Sequence, residues 1–212
     1  MADSVAITLL RHGLTEANER KAYLGWTDSP LSTNGKRDIE ELKHCYPRYE
    51  RIHTSDLRRC IETVRLLFPD LVPMKNPAFR EMNFGSWEGR TYDELKMNAD
   101  YQKWLENPMG AAVPKGESYP QFSRRVQEGW IRLVAEEDER CYALMTHGGV
   151  IRDLLSRYAP MEKSFWDWSI THAMGYELIW DDRDSLRRGE RCTLLRAVPI
   201  MGKVNGQSNF TG

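Results

Sequence analysis

The sequence predicts a single-domain α/β fold with an open, mostly parallel sheet. Short apolar runs alternate with stretches whose apolar residues recur at helical spacing. Three of the runs pass directly into helical patterns through polar junctions rich in His, Arg and Gly. The 212 residues suffice for one substantial core and are too few for two comfortable domains. One domain is therefore expected over residues 1–201, with 202–212 a polar, frayed C-terminal tail.

Val5 to Leu10, apolar except at Thr8, reads as a buried strand. After a loop with Gly25 and Pro30, a helix is expected from Ser32 to about Tyr46, ended by Pro47. Glu50 to His53 is a short strand candidate. Leu57, Cys60, Ile61, Val64, Leu67 and Phe68 then recur at helical spacing, with Ser55 or Asp56 available as the cap. Pro69, Pro73 and Pro77 break the pattern, with room for a short strand between them. Thr91 and Glu94 form a capping box for a short helix, and Asn107 to Gly116 reads as a loop. Ser118 opens a long helix whose apolar face carries Phe122, Val126, Trp130, Leu133 and Val134. Cys141 to Met145 is the next strand, followed by the amphipathic stripe Val150, Ile151, Leu154, Leu155 and Tyr158. Met174 to Trp180 and Arg191 to Val198 are the last strands, paired across a polar turn from Asp181 to Glu190.

Charge narrows the functional classes. Lys and Arg number 30 against 31 Asp and Glu, so no general electrostatic drive towards nucleic acid or an anionic membrane exists. Local basic residues therefore read as a site. No apolar run approaches the roughly 18 residues of a membrane span, and Val5 to Leu10 is too short for a signal-peptide core. A cytoplasmic protein is expected. Its cysteines, Cys45, Cys60, Cys141 and Cys192, form no Cys-x-x-Cys pair and read as buried reduced thiols.

The chemistry gathers at the three junctions: Arg11-His12-Gly13, His53-Thr54-Ser55-Asp56-Leu57-Arg58-Arg59 and Thr146-His147-Gly148-Gly149. In a mostly parallel sheet such junctions converge at the carboxyl ends of the strands, where ligands bind. Arginine offers permanently charged planar donors, helix N-termini add oriented N–H groups, and glycines at 13, 148 and 149 admit close approach. The shared ligand should be an anion such as phosphate. A neutral histidine in that setting can attack phosphorus and become a phosphohistidine.

Five blocks in order carry a resemblance to a known family. They are Arg11-His12-Gly13-x-Thr15-x-x-Asn18, Gly25-x-x-Asp28-x-Pro30-Leu31-Ser32-x-x-Gly35, Ser55-x-Leu57-x-Arg59, Glu81-Met82-x-Phe84-Gly85-x-Trp87-Glu88 and Thr146-His147-Gly148-Gly149. Together they resemble the histidine phosphatase superfamily, which includes the cofactor-dependent phosphoglycerate mutases. The resemblance implies a phosphoglycerate mutase-like three-layer sandwich, a mostly parallel central sheet flanked by helices. It makes His12 the phosphorylated nucleophile and Arg11, Arg59 and His147 catalytic phosphate ligands. Asn18, Gly25 and Gly148 match further phosphate or substrate contacts. Glu81 matches the proton donor to the leaving oxygen; sequence logic alone does not prefer it over Glu88 or Glu117. No metal and no cofactor are implied, and the expected partner is a small-molecule phosphomonoester. Leu14 stands where the family commonly has Glu, outside the assigned phosphate ligands.

Within the family the differences favour hydrolysis. A mutase must hold a doubly anionic intermediate while it turns round, which calls for extra cations and an enclosing insertion. The span from Glu81 to His147 is short for that pattern, and no second paired-arginine loop follows Thr91. Phe84 and Tyr92 stand where a mutase typically has tyrosine and lysine, and Leu24 replaces a threonine contact. The run from Arg80 to Glu88, with Tyr101-x-x-Trp104 and Pro114-x-Gly116-Glu117, is similar to α-ribazole phosphate phosphatases of cobalamin synthesis and to broad-range phosphomonoesterases. The alternatives are a phosphoglycerate mutase and, more remotely, a non-catalytic phospho-ligand binding protein. Outside the matched positions, Arg58, His44 and His53 read as surface or structural residues, and Arg124 with Arg125 as a solvated basic face. His172 lies where it could reach the pocket rim, and Trp26, Trp87, Trp166 and Trp168 where they could wall the substrate side.

Overall fold

The computed structural model describes residues 4–199. Its sheet is built from β1 (Val5–Arg11), β2 (Arg51–Thr54), β3 (Met74–Lys75), β4 (Cys141–Thr146), β5 (Gly175–Trp180) and β6 (Leu194–Val198). Across the sheet the order is β3-β2-β4-β1-β5-β6. The first four strands in that order run parallel, and β5 is antiparallel to both of its neighbours. Around it lie α1 (Glu16–Glu19), α2 (Thr33–Leu42), α3 (Arg58–Leu67), α4 (Tyr92–Leu95), α5 (Ala99–Glu106), α6 (Tyr119–Glu136), α7 (Gly148–Tyr158) and α8 (Arg183–Arg187).

Alternation along β1 divides the interior in two. Val5, Ile7 and Leu9 point to one face, where they join Phe122, Val126 and Trp130 of α6 and Val150, Ile151 and Leu154 of α7. Leu10 points to the other, joining Ile39 of α2 and Cys60 and Val64 of α3. The expected three-layer sandwich is the result. The helices start where side-chain oxygens satisfy the first amides: Ser32 accepts from Gly35 N at 3.0 Å, and Ser118 with Gln121 forms a capping box that opens α6.

Several local expectations change. α2 stops at Leu42 instead of reaching Tyr46, and Cys45 N turns back to Leu42 O at 2.9 Å in a tighter three-residue closure. Neither Ser55 nor Asp56 caps α3. Ser55 is drawn to His147 and Asp56 to Arg80, and the carboxylate of Asp28 receives Arg58 N instead, at 3.0 and 3.2 Å. The segment 181–190 is no simple turn but carries α8, and β6 begins at Leu194 because Cys192 N is held by Tyr158 O at the end of α7. α5 was not foreseen; Asn98 caps it and its Tyr101 and Trp104 are buried. All four cysteines are free, yet Cys45 is exposed and Cys141 only half buried. Among the described residues no helix is long and apolar enough to cross a membrane. The expected tail at 202–212 lies outside the described residues.

The seam between β1 and β5 tolerates no side chain at Gly175, where a Cβ would lie 1.7 Å from the Leu9 carbonyl oxygen. Gly175→Ala is expected to destabilise the protein by about 1–3 kcal/mol or more, since backbone rather than a flexible side chain must shift. Urea unfolding with an unchanged midpoint would show that the two strands part without cost.

Candidate active site

The parallel register sets Arg11 opposite Thr146, so the residues that follow β1 and β4, His12 and His147, emerge side by side. Their rings lie 5.1 Å apart, edge to face. His12 is held along its backbone: its N donates to Thr146 O at 3.0 Å and its O accepts from Ala173 N at 3.2 Å. Its Nδ1 lies 2.7 Å from Gly13 O. A carbonyl only accepts, so Nδ1 carries the proton and Nε2 keeps its lone pair. The same logic orients His147. Arg59 can only donate, so His147 Nδ1 accepts from it at 3.3 Å, and Nε2–H donates to Ser55 Oγ at 2.9 Å.

Both imidazoles are pushed well below the ordinary histidine value, first by burial and then by Arg59 and other neighbouring groups. They are neutral at pH 7. Arg59 has 0% exposure and is held by Gly25 O at 2.6 Å, Thr27 O at 3.0 Å and His147. Arg11 donates to Ile170 O at 2.6 Å. Burial lowers Arg11 to about 10, against which Glu81 acts in the opposite direction, so the group stays charged. In both guanidiniums the Nε is buried with no partner among the described residues. Two cations with spare donors, next to a neutral histidine, make a site suited to an anion with several oxygens.

Three carboxylates that only the family resemblance told apart, in favour of Glu81, are separated here. Glu88 anchors a loop, accepting from the backbone N–H groups of Gly25, Trp26, Thr27 and Phe84 at 2.8–3.2 Å. Glu117 forms a two-pronged ion pair with Arg125 at 2.8 and 2.7 Å. Glu81 remains at the site. Its Oε2 accepts from Gly149 N, in the first turn of α7, and its Oε1 from Met82 N, both at 2.9 Å.

Glu81 and Gly149 line a cavity of about 350 Å³ whose other walls include Tyr23, Phe84, Trp104, Phe165 and Trp166. Arg152 is the one cation among its lining residues. A second lobe of about 380 Å³ shares Tyr23 and Leu105 and is lined by Arg11, Asn18, Lys21 and His172. His12 itself is only 3% exposed. Gly148 opens α7 beside the Arg11 guanidinium. Gly25 does not turn a donor to the site: its N goes to Glu88 and its carbonyl to Arg59, and a Cβ there would lie 2.1 Å from Met82 O.

Of the residues set aside on sequence grounds, Arg58 is solvated and pairs with Glu62. His53 is buried and bonded to Glu137 at 2.6 Å. Arg125 is not a solvated basic residue. Besides Glu117 it donates to the carbonyls of Ala78, Arg80 and Glu81, and so braces the segment that carries Glu81. Trp87 and Trp168 are buried, whereas Trp166 walls the cavity. Trp26 is stacked against Arg80 and Arg125 and donates to Glu81 O. Asp28, Ser55 and Arg152 were missed as parts of the site. Only the Asp28 and Ser55 positions carried a signal, inside the matched blocks.

The comparisons agree with this arrangement. The model of the histidine phosphatase superfamily (branch 1) matches residues 7–187. An adenosylcobalamin/alpha-ribazole phosphatase of Salmonella typhimurium is 32% identical over 170 residues, covering 76% of this chain and 84% of its own. A 2,3-bisphosphoglycerate-dependent phosphoglycerate mutase of Bartonella henselae is 27% identical over 167 residues, covering 70% and 79%. Among solved structures, the alpha-ribazole phosphatase from Shigella flexneri superposes with a TM-score of 0.76 at 26% identity, covering 82% of this chain and 90% of that one. With the family pattern matched along most of its length and the fold shared, the chain belongs to the histidine phosphatase superfamily.

Proposed function

We propose that this protein is a phosphomonoesterase that hydrolyses a small phosphorylated metabolite through a phosphohistidine at His12. The observation that carries the reading is the neutral imidazole of His12, tethered through Nδ1 to Gly13 O with Nε2 unprotonated, between two buried guanidiniums. Membership of a phosphatase superfamily supports the reaction class.

In the first step the Nε2 lone pair attacks phosphorus and the bond to the ester oxygen breaks. Glu81 gives that oxygen a proton, because an alkoxide leaves poorly. In the second step the Glu81 carboxylate takes a proton from water, the water oxygen attacks phosphorus, and the P–N bond breaks to return the electron pair to His12. Arg11, Arg59, Asn18 and the Gly148 amide hold the phosphoryl oxygens and oppose the charge that gathers on them, while His147, whose one N–H goes to Ser55, acts by holding the Arg59 guanidinium through Nδ1. Gly25 acts through its carbonyl, which holds Arg59. The two arginines supply the neutralisation that a metal supplies elsewhere, and the reading requires no metal or cofactor.

The aromatic cavity beside Glu81 would take the leaving group. Tyr23, Phe84, Trp104, Phe165 and Trp166 suit a flat, weakly charged ring system better than a second phosphate or a carboxylate. That preference, with the names of the relatives, makes α-ribazole 5'-phosphate the favoured substrate over phosphoglycerate. A cytoplasmic location goes with this reading.

Purified protein is expected to hydrolyse p-nitrophenyl phosphate in EDTA, and among natural esters to prefer α-ribazole phosphate to phosphoglycerates. Absence of turnover on every ester would remove the enzymatic reading, and efficient bisphosphoglycerate-dependent mutase activity would replace hydrolysis. His12→Ala should abolish an acid-labile, base-stable phosphoryl label; a label that survives would place the intermediate elsewhere. In the first turnover, read as the burst of released alcohol before the phosphohistidine is hydrolysed, Glu81→Gln should slow alkyl esters by about 10²–10⁴-fold, and p-nitrophenyl phosphate far less, because its leaving group needs no proton. Equal losses on both would count against Glu81 as the proton donor.

A further inference from the structure

The turn that precedes β5 is built around one strained residue. Ala173 is buried with φ +57°, a left-handed backbone that a non-glycine residue adopts only when its surroundings enforce it. Those surroundings are the nucleophile's own backbone, since Ala173 N donates to His12 O, and the Tyr46 hydroxyl, which donates to Ala173 O. The turn presents the neighbouring His172 to the site. Its ring lies 5.6 Å from that of His12, and its Nε2 lies 3.1 Å from Asn18 Oδ1.

The orientation of Asn18 follows from its partners. Thr15 N lies 3.3 Å from the same Asn18 atom, and a backbone N–H can only donate, so that atom is the oxygen. Thr15 Oγ1 donates to it as well, at 2.8 Å. His172 Nε2 must then carry a hydrogen and donate. Burial and Arg11 push His172 down to about 3, so the ring is neutral and its one N–H is committed to Asn18. With Oδ1 held from three directions, the amide nitrogen is turned away from Thr15, in a side chain that lines the lobe containing Arg11.

We infer that His172 is a positioning residue: together with Thr15 it fixes the Asn18 amide so that its N–H donors face the anion bound beside His12. The contact ties α1 to the turn before β5 across 154 positions. Thr15 settles which end of the amide faces inward, and His172 settles its rotation. That the anion is a phosphoryl group rests on the reading proposed above.

Inorganic phosphate binding to the full chain, measured by calorimetry, tests the inference apart from turnover. Asn18→Ala and His172→Leu are each expected to weaken phosphate by about tenfold, the scale of one hydrogen bond to a charged group. The double variant should bind no more than about twofold more weakly than Asn18→Ala, because His172 acts through Asn18. His172→Gln, whose amide reaches the place of Nε2, should restore binding, whereas His172→Asn, whose amide stands at Nδ1, should not. Wild-type affinity in His172→Leu, losses that multiply in the double variant, or failure of Gln to rescue would each overturn the inference. Should His172→Leu not fold, the Asn and Gln variants in both Asn18 backgrounds carry the same comparison. Phosphate binding that follows the expected pattern without ester turnover would strike only the enzymatic reading. Turnover with unchanged phosphate binding in the His172 variants would strike only this one.

Discussion

The buried guanidinium of Arg59 is the interaction on which the rest of the site depends. Burying a cation costs several kcal/mol even after relaxation, and here it is offset by the Gly25 and Thr27 carbonyls, by His147 Nδ1 and by Asp28 at 3.6 Å. Each partner is thereby fixed in place. Arg59 holds the loop that contains Gly25 from one side while Glu88 holds it from the other through three backbone amides. The same loop supplies Asp28, which receives Arg58 N at the start of α3, the helix that carries Arg59. Helix, loop and cation are mutually dependent.

The electrostatic character of the site follows. Burial disfavours a proton on either histidine, and Arg59 and Arg11, charged and partly without partners, act in the same direction. A pocket of permanent cations and neutral imidazoles can take a multiply charged anion without first losing protons of its own. Glu81 is the counterweight. Its carboxylate lies close enough to both guanidiniums to favour their charged forms, and the first turn of α7 holds it through Gly149 N.

Behind Glu81 stands a layer that sets its position and has no chemistry of its own. Arg125 gathers the carbonyls of Ala78, Arg80 and Glu81 and is held by Glu117; Trp26 donates to the Glu81 carbonyl from the other side. The apolar walls come chiefly from α5 and the Phe165–Trp166 turn.

The sequence by itself determined the fold class, most of the strands and long helices, and the three junctions that supply His12, Arg11, Arg59 and His147. Those features are local: apolar period, caps and strand-end glycines act over a few residues, so they are written contiguously. Only the tertiary structure decided what holds Glu81, Glu88 and Glu117 apart, that Arg125 is a brace, that Asp28 meets the N-terminus of α3, and that His172 meets Asn18. Each of these contacts is formed across the fold, in most cases between distant segments, and depends on the register that sets β1 beside β4 and β5. A carboxylate's role is set by the donors that surround it, and in this fold the donors to Glu81, Glu88 and Glu117 come largely from other elements.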